Sequence, residues 1–134
     1  MKFTYLLVED DLDFRTVLSQ SLERLGYSTF GVGSLAEAYE SLTTHSFDRL
    51  ILDLKLDREN GIDFFKRLSQ FPDLKVLVLS GYASVDTVRA ALIGGAVNFL
   101  QKPASIQEIL KAFDGATDGA SDGASLFGTL MSHC

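Results

Sequence analysis

An α/β fold, with a doubly wound parallel sheet of five strands and five helices, is predicted by two patterns in the sequence. Short apolar runs of strand length alternate along the chain with helical patterns in which apolar residues recur every three or four positions. The three strongest runs are apolar on both faces, which is typical of central parallel strands covered by helices. Such an alternating order predicts a parallel sheet whose strands are joined by right-handed crossovers.

The predicted strands are five apolar runs, and the residues that follow them are the candidates for chemistry. In a sheet of this kind the ligand site lies at the carboxyl ends of the strands, near a switch in strand order. The runs cover residues 5–8, 27–32, 50–52, 76–79 and 97–100, of which residues 27–32 are the weakest candidate.

Capping residues indicate where the predicted helices begin and end. The first helix, over residues 13–25, ends at Gly26, a residue type that is typical of a helix C-terminus. Ser34 and Ser105 begin the second and fifth helices, because each has a Glu three residues later, the spacing of a capping box. The third and fourth helices are predicted over residues 62–68, before Pro72, and over residues 84–93, before Gly94 and Gly95.

The composition indicates a single folded domain in a reducing compartment. The chain has 134 residues, of which 46% are hydrophobic, and its one cysteine is Cys134. This apolar fraction excludes disorder throughout, and a lone cysteine excludes a disulfide scaffold. The net charge of −6 argues against nucleic-acid binding through a basic patch, and the apolar N-terminal run is too short for a signal peptide or membrane helix. We therefore expect a cytoplasmic protein that contacts neither membrane nor nucleic acid.

The C-terminal residues differ in composition from the rest of the chain. Residues 114–125 contain three near-copies of one Asp-Gly-Ala-Ser/Thr unit, a low-complexity pattern that is typical of a flexible segment. Residues 114–134 hold three Asp and no Lys or Arg, so half of the net charge of −6 lies there. We predict a domain over residues 1–113 and a flexible tail over residues 114–134.

Acidic, hydroxyl and ammonium side chains follow four of the predicted strands. Because parallel strands end at the same edge of a sheet, these side chains are expected to converge. Two unit charges ~4 Å apart repel by about 4 kcal/mol at an effective dielectric constant near 20, so clustered carboxylates need a cation or a raised pKa. Glu9 and Asp10 follow the first strand, Asp53 the third, Ser80 the fourth and Lys102 the fifth.

The residue types at this edge are those that phosphoryl transfer requires. An all-oxygen site with few carboxylates suits Mg²⁺, which keeps several waters and often binds phosphate. Lys102 supplies a fixed positive charge for a phosphoryl oxygen, and Ser80 supplies a hydroxyl donor. Each residue alone has an ordinary alternative, since acidic residues often cap helices and Ser or Lys can stand in plain turns. Their combination, each directly after a separate apolar run, favours a shared site.

Several motifs together resemble the receiver domain of bacterial two-component response regulators. The matching segments are residues 7–11, 53–56, 60–61, 78–82, 94–96 and 99–103, and the resemblance covers about residues 3–113. It implies a flavodoxin-like topology, a sensor histidine kinase as partner and Mg²⁺ as cofactor. The implied function is a signalling switch rather than an enzyme, with only self-phosphorylation and autodephosphorylation chemistry.

The resemblance implies a role for each acidic residue. Asp53 corresponds to the phosphoacceptor, which takes its phosphoryl group from a phosphohistidine of the kinase. Asp53 and Asp10 correspond to direct Mg²⁺ ligands, and Glu9 corresponds to a ligand that acts through water. The backbone carbonyl of Lys55 corresponds to a further metal ligand.

Other residues correspond to the parts that respond to phosphorylation. Ser80 matches the hydroxyl that turns toward the phosphoryl group, and Lys102 matches the ammonium that pairs with its oxygens. Phe99 matches an aromatic switch residue that swings inward, and the Lys102–Pro103 peptide is expected to be cis. Tyr82, two positions after Ser80, is expected to overhang the phosphoryl group and slow attack by water.

The resemblance also indicates a surface for partners. Arg89 and Leu92 lie on the fourth-helix face that, with the fifth strand and fifth helix, the family uses for homodimers and outputs. An ordinary amphipathic helix remains the alternative for these two residues. A packed core ring remains the alternative for Phe99.

Some residues depart from the commonest pattern of the family. Asp57 stands where many members have Pro. Residues 57–61, together with residues 80–84 and 102–104, look more like the redox-responsive, photosynthesis-type regulators. Those regulators carry a helix-turn-helix DNA-binding segment after the receiver, and nothing after residue 113 resembles one. We therefore expect either a stand-alone receiver or one whose transcriptional output domain is absent from this chain.

Three other function classes remain open from the sequence. A Mg²⁺-dependent phosphatase with an aspartate nucleophile usually has a second Asp two residues later, where this chain has Lys55. A flavin- or nucleotide-binding protein usually has a Gly-rich phosphate loop, which does not follow the first strand here. A phosphorylation-independent interaction module is disfavoured by the complete acidic set.

Overall fold

A five-stranded parallel sheet forms the centre of the structure, a computed structural model that describes residues 3–53, 64, 67–81, 88–89, 91 and 93–114. The strands are β1 (Thr4–Val8), β2 (Ser28–Val32), β3 (Arg49–Leu52), β4 (Lys75–Ser80) and β5 (Asn98–Gln101). The helices whose bounds lie within the described residues are α1 (Leu12–Arg24), α2 (Leu35–Thr44) and α3 (Ile106–Ala112).

The strand order β2-β1-β3-β4-β5, with every neighbouring pair parallel, confirms the predicted doubly wound sheet. The weakest candidate strand is present as β2, at the edge of the sheet. The chain adds β2 on one side of β1 and then adds β3 on the other side, so the order switches between β1 and β3. The carboxyl ends of β1 and β3 therefore border the crevice where a sheet of this kind binds ligands.

Helix α1 is fixed at its start by a residue that the apolar pattern does not reveal. The Asp11 side chain accepts hydrogen bonds from the backbone N–H groups of Asp13 and Phe14, which makes Asp11 the N-cap. Gly26 follows the helix with a φ of 95°, a left-handed conformation that favours glycine. The predicted end of the first helix is therefore confirmed, and its start lies one residue before the predicted position.

The two predicted capping boxes differ in how completely they form. At α3, the Ser105 hydroxyl accepts from the Glu108 N–H while the Glu108 carboxylate accepts from the Ser105 N–H. At α2, the Ser34 hydroxyl accepts from the Glu37 N–H. The Glu37 carboxylate, however, accepts from the Gly33 N–H and the Ser34 hydroxyl. The prediction for Ser34 as N-cap is confirmed, while the return bond of its box involves the preceding glycine.

Helical backbone also occurs at described residues of the third and fourth predicted helices. Gly95 has a φ of 93°, and the Ala96 N–H donates to the Ala91 carbonyl, so the predicted closure of the fourth helix is confirmed. The other residues of these two segments lie outside the described part of the chain. The helical residues are Phe64, Arg67 and Leu68 in the third segment and Val88, Arg89, Ala91 and Ile93 in the fourth.

Two hydrophobic clusters cover the two faces of the sheet. Alternate residues of β1 point to opposite faces, so Leu6 and Val8 join one cluster while Tyr5 and Leu7 join the other. The first cluster includes residues of α2 and of the third and fourth helical segments, and the second includes residues of α1 and α3. Burial of a leucine side chain contributes roughly 1.5–3 kcal/mol to the stability of the folded state. Packing on both faces of the sheet therefore holds the strand ends in place.

The described C-terminal part of the chain ends shortly after α3. Phe113 is buried in the second cluster, and Asp114 is exposed. The boundary at residue 113 stays a prediction, and residues 115–134 of the predicted tail lie outside the described residues. Among the helices that the structure describes, none has the combined length and apolar character needed to cross a bilayer.

We predict that Ser105→Ala lowers the free energy of unfolding by about 1 kcal/mol, because the Glu108 N–H loses its side-chain acceptor. Urea unfolding followed by far-UV circular dichroism measures this loss. Ser21→Ala is the matched control, since the Ser21 hydroxyl donates to the Val17 carbonyl inside α1. Ala is the better helix former there, so the control should be unchanged or slightly more stable. Equal effects of the two substitutions would contradict the capping role.

Candidate functional site

Three carboxylates meet where β1 and β3 end. One oxygen from each of Glu9, Asp10 and Asp53 lies within 4.8 Å of the others. Glu9 and Asp53 are 3% and 2% exposed, whereas Asp10 is exposed. The predicted convergence of these residues is therefore found, because β1 and β3 are neighbours in the sheet.

Lys102 joins this cluster from the carboxyl end of β5, an edge strand of the sheet. It follows β5, and its Nζ donates to Glu9 Oε1 at 2.6 Å and to Asp53 Oδ2 at 2.9 Å. The same ammonium lies 4.2 Å from the centroid of the Phe14 ring, a cation–π contact. One ammonium thus bridges the two buried carboxylates, and an aromatic ring of α1 covers it.

Burial and neighbouring charges shift the pKa values of Glu9 and Lys102. Burial, and then the neighbouring Asp53 carboxyl, raise the pKa of Glu9 to about 7, although Lys102 acts in the opposite direction. Burial would lower the pKa of Lys102, but the hydrogen bonds to Glu9 and Asp53 outweigh it, so this pKa is raised. The single ammonium therefore does not outweigh the effects of burial and of the Asp53 carboxyl on Glu9.

The backbone of the acidic turn is held on both sides. The Glu9 N–H donates to the Val32 carbonyl at 3.0 Å, and the Glu9 carbonyl accepts from Arg15 Nη1 at 2.8 Å. The Glu9 Oε2 also accepts from the Asp11 N–H at 3.1 Å. Phe14 and Arg15 were not predicted as site residues, because the apolar stripe assigns Phe14 to the core and no pattern links Arg15 to a strand end.

Ser80 and Phe99 lie beside the cluster in β4 and β5. Ser80 is the last residue of β4 and is 2% exposed, and its carbonyl accepts from the Lys102 N–H at 2.7 Å. Phe99 pairs in register with Val78 and is fully buried in the first hydrophobic cluster. Its ring is therefore already directed inward in this structure, and its role as a switch stays a prediction.

The other predicted features lie partly within the described residues. The Lys102–Pro103 peptide is cis, as predicted. Arg89 is helical and exposed. Lys55, Tyr82 and Leu92 lie outside the described residues, so the structure gives no position for them.

The donor set fits a hard divalent cation. Three carboxylates offer oxygen ligands within 4.8 Å of one another, and among the described residues no sulfur or imidazole joins this cluster. Mg²⁺ and Ca²⁺ prefer such ligands. A cation beside Glu9 would oppose the burial and the Asp53 carboxyl that raise its pKa, and would thus stabilise the charged form of Glu9.

Comparison with known families decides what kind of domain this is. A family model described as the response regulator receiver domain matches residues 5–114. The chain belongs to the response regulator receiver domain family. The observed sheet and the strand-end cluster thus belong to a domain of two-component signal transduction.

Curated relatives of this receiver domain are regulatory proteins. The chain is 32% identical over 114 residues to the DNA-binding transcriptional regulator NtrC of Azospirillum brasilense, covering 84% of this chain and 24% of that protein. It is 33% identical over 108 residues to the photosynthetic apparatus regulatory protein RegA of Cereibacter sphaeroides, covering 80% of this chain and 59% of RegA. The receiver domain thus spans only part of each relative, and the two identities do not select the photosynthesis-type branch.

A similar solved structure comes from Burkholderia pseudomallei. It is a response regulator protein with a phosphorylated aspartic acid, a calcium ion and citrate. It superposes with a TM-score of 0.82 at 31% identity, covering 89% of this chain and 71% of the other.

We predict that Asp53→Asn lowers the pKa of Glu9 in the metal-free receiver domain. The substitution removes the neighbouring carboxylate that helps to raise this pKa. Burial remains, so the pKa should fall from about 7 but stay above the ordinary value of 4.5. NMR titration of the Glu9 carboxyl carbon in the presence of EDTA measures the change.

Asp48→Asn is the matched control for this titration. Asp48 comes directly before β3, at the opposite end of the strand from Asp53, and it is exposed. The control should leave the pKa of Glu9 unchanged. A Glu9 pKa that does not move in Asp53→Asn would show that the two carboxyls do not interact.

Proposed function

We propose that this receiver domain accepts a phosphoryl group on Asp53 from a phosphohistidine of a sensor histidine kinase, in a Mg²⁺-dependent reaction. The observation that supports this most directly is the bridge from Lys102 to the buried carboxylates of Glu9 and Asp53. Such a bridge places an ammonium beside the carboxylate that would react. The phosphorylated state then changes the affinity of the domain for its partners.

Asp53 is the proposed nucleophile. A carboxylate oxygen attacks phosphorus, an oxygen–phosphorus bond forms, and the bond from phosphorus to the imidazole nitrogen breaks, so the histidine leaves with that electron pair. The product is an acyl phosphate on Asp53. Since Asp53 is consumed in this step, the domain acts as a stoichiometric acceptor, and hydrolysis of the acyl phosphate restores it.

The acidic cluster is the proposed Mg²⁺ site. Asp10 and Asp53 would bind the ion directly, Glu9 would act through water, and the backbone carbonyl of Lys55 is a further proposed ligand. When bound, the ion neutralises charge on the transferring phosphoryl oxygens. Exposure of the Asp10 side chain leaves this side of the cluster open to solvent and to an incoming phosphoryl group.

Lys102 and Ser80 are proposed to recognise the phosphorylated state. New phosphoryl oxygens on Asp53 compete for the Lys102 ammonium, which now donates to two carboxylates. Ser80 ends the neighbouring strand β4, so a modest movement of its hydroxyl would contact the same oxygens. These contacts exist only after phosphorylation and therefore shift the equilibrium toward the active state.

The change is proposed to reach a surface formed by the fourth helical segment, β5 and α3. The Lys102 N–H donates to the Ser80 carbonyl, which links the ends of β4 and β5. Phe99, in β5, pairs in register with Val78 of β4 and would repack when Ser80 moves. Ile93, in the fourth segment, is 80% exposed and offers an apolar contact for a second receiver domain. In a longer protein this surface would control a transcriptional output domain.

We predict that a small phosphodonor such as acetyl phosphate, with Mg²⁺, adds one phosphoryl group to the receiver domain. Asp53→Asn should remain unmodified, because an amide is not a competent acceptor, and EDTA should abolish labelling of the wild type. Intact-mass spectrometry, followed by peptide mapping of Asp53, measures the product.

Asp48→Asn is again the control, since it removes one carboxylate at the opposite end of β3. It should be labelled like the wild type. The proposal fails if neither the small donor nor the cognate kinase labels the wild type. Continuous turnover of a phosphomonoester would favour a phosphatase instead.

A further inference from the structure

Arg15 reaches the acidic turn from α1. It lies in the first turn of the helix, is partly buried, and its Nη1 donates to the Glu9 carbonyl at 2.8 Å. That carbonyl belongs to the peptide that joins Glu9 to Asp10. The bond therefore acts on the one peptide that connects two of the three clustered acidic residues.

The Glu9 carbonyl depends on Arg15 because the ladder between β1 and β2 ends at this point. Glu9 N–H donates to the Val32 carbonyl, so the next donor in a parallel ladder would be the Ser34 N–H. Ser34 is instead the N-cap of α2, and no such backbone bond forms among the described residues. A buried carbonyl without a donor costs about 1–3 kcal/mol, and Arg15 supplies the missing bond.

Two glycines leave the space that Arg15 occupies. A Cβ added at Gly31 would lie 2.9 Å from Arg15 Cδ, and a Cβ added at Gly33 would lie 3.0 Å from Arg15 Nη1. Neither glycine has a left-handed φ. The backbone conformation therefore does not require glycine at either position. A side chain there would instead take up the space that Arg15 occupies.

We propose that Arg15 is a positioning residue that fixes the Glu9–Asp10 peptide and so orients the carboxylates of both residues for cation binding. The inference rests on the proposed metal-dependent function of the acidic cluster. Arg15 does not touch the reacting atoms; it acts through the backbone of Glu9. Partners that orient a metal ligand in this way typically change metal affinity by 10–100-fold when removed.

Positioning and simple electrostatics predict opposite effects for this arginine. Arg15 is a positive charge near a cation site, so its removal would strengthen Mg²⁺ binding if charge alone mattered. If the guanidinium orients the acidic turn, its removal weakens binding in spite of that favourable change in charge. The direction of the change in Mg²⁺ affinity therefore distinguishes the two roles.

The test is isothermal titration of the full chain with Mg²⁺ in wild type, Arg15→Met, Arg15→Lys and Arg24→Met. Arg15→Met keeps the apolar stem and should raise the Mg²⁺ Kd about tenfold. Arg15→Lys keeps a donor and should recover part of the loss. Arg24→Met removes the same charge from the last turn of α1 and should leave the Kd unchanged. Unchanged or tighter binding by Arg15→Met overturns the proposal.

Gly33→Ala tests the same contact without changing a charge. The added methyl group would displace Arg15 Nη1. Gly33→Ala alone should therefore bind Mg²⁺ more weakly than the wild type. In the Arg15→Met background no Nη1 is present, and the same substitution should have no further effect. Additive losses in the double variant contradict the proposal.

A readout without metal separates this inference from the proposed function. In EDTA, the Glu9 carbonyl ¹³C resonance should move upfield in Arg15→Met, because the carbonyl loses its hydrogen bond, and should not move in Arg24→Met. A wild type that binds no Mg²⁺ contradicts the proposed metal site, while an unmoved Glu9 carbonyl resonance contradicts the positioning role.

Discussion

Two buried carboxylates that share one ammonium impose the electrostatic constraint on which the strand-end site depends. Glu9 and Asp53 are almost fully buried, and both accept from Lys102, while Asp10 adds a third negative charge beside them. Removing one partner from a buried ion pair typically costs about 3–5 kcal/mol, so the three groups depend on one another. Burial, and then the neighbouring Asp53 carboxyl, raise the pKa of Glu9, and a further cation beside these carboxylates would favour their charged forms.

The sheet makes this cluster sensitive to a change on a single residue. Asp53 follows β3, Glu9 follows β1, and Lys102 follows β5, so one phosphoryl group would alter contacts at the ends of three strands. The backbone bond from Lys102 to the Ser80 carbonyl adds β4 to the same network. A change in charge at Asp53 would therefore act on contacts at four strand ends, as the proposed signalling switch requires.

The sequence predicted the parts of the site that follow apolar runs and missed those that approach it from a helix. Asp53 and Lys102 could be assigned because each comes directly after a strand, and parallel strands end together. Phe14 could not, since its spacing fits the core stripe and its contact with Lys102 depends on how α1 is rotated against the sheet. The contact between Arg15 and the Glu9 carbonyl depends on the space left by Gly31 and on the hydrogen-bond ladder that ends at Glu9. It therefore involves three elements at once.

The most direct test of the cation site is a crystal structure of the full chain soaked with Mn²⁺, with anomalous scattering used to locate the ion. An oxygen-rich site for Mg²⁺ also accepts Mn²⁺. The constraint of clustered carboxylates predicts an anomalous peak within bonding distance of the Asp10 and Asp53 carboxylate oxygens. An acidic cluster without a peak, at a Mn²⁺ concentration that occupies other sites, would contradict it.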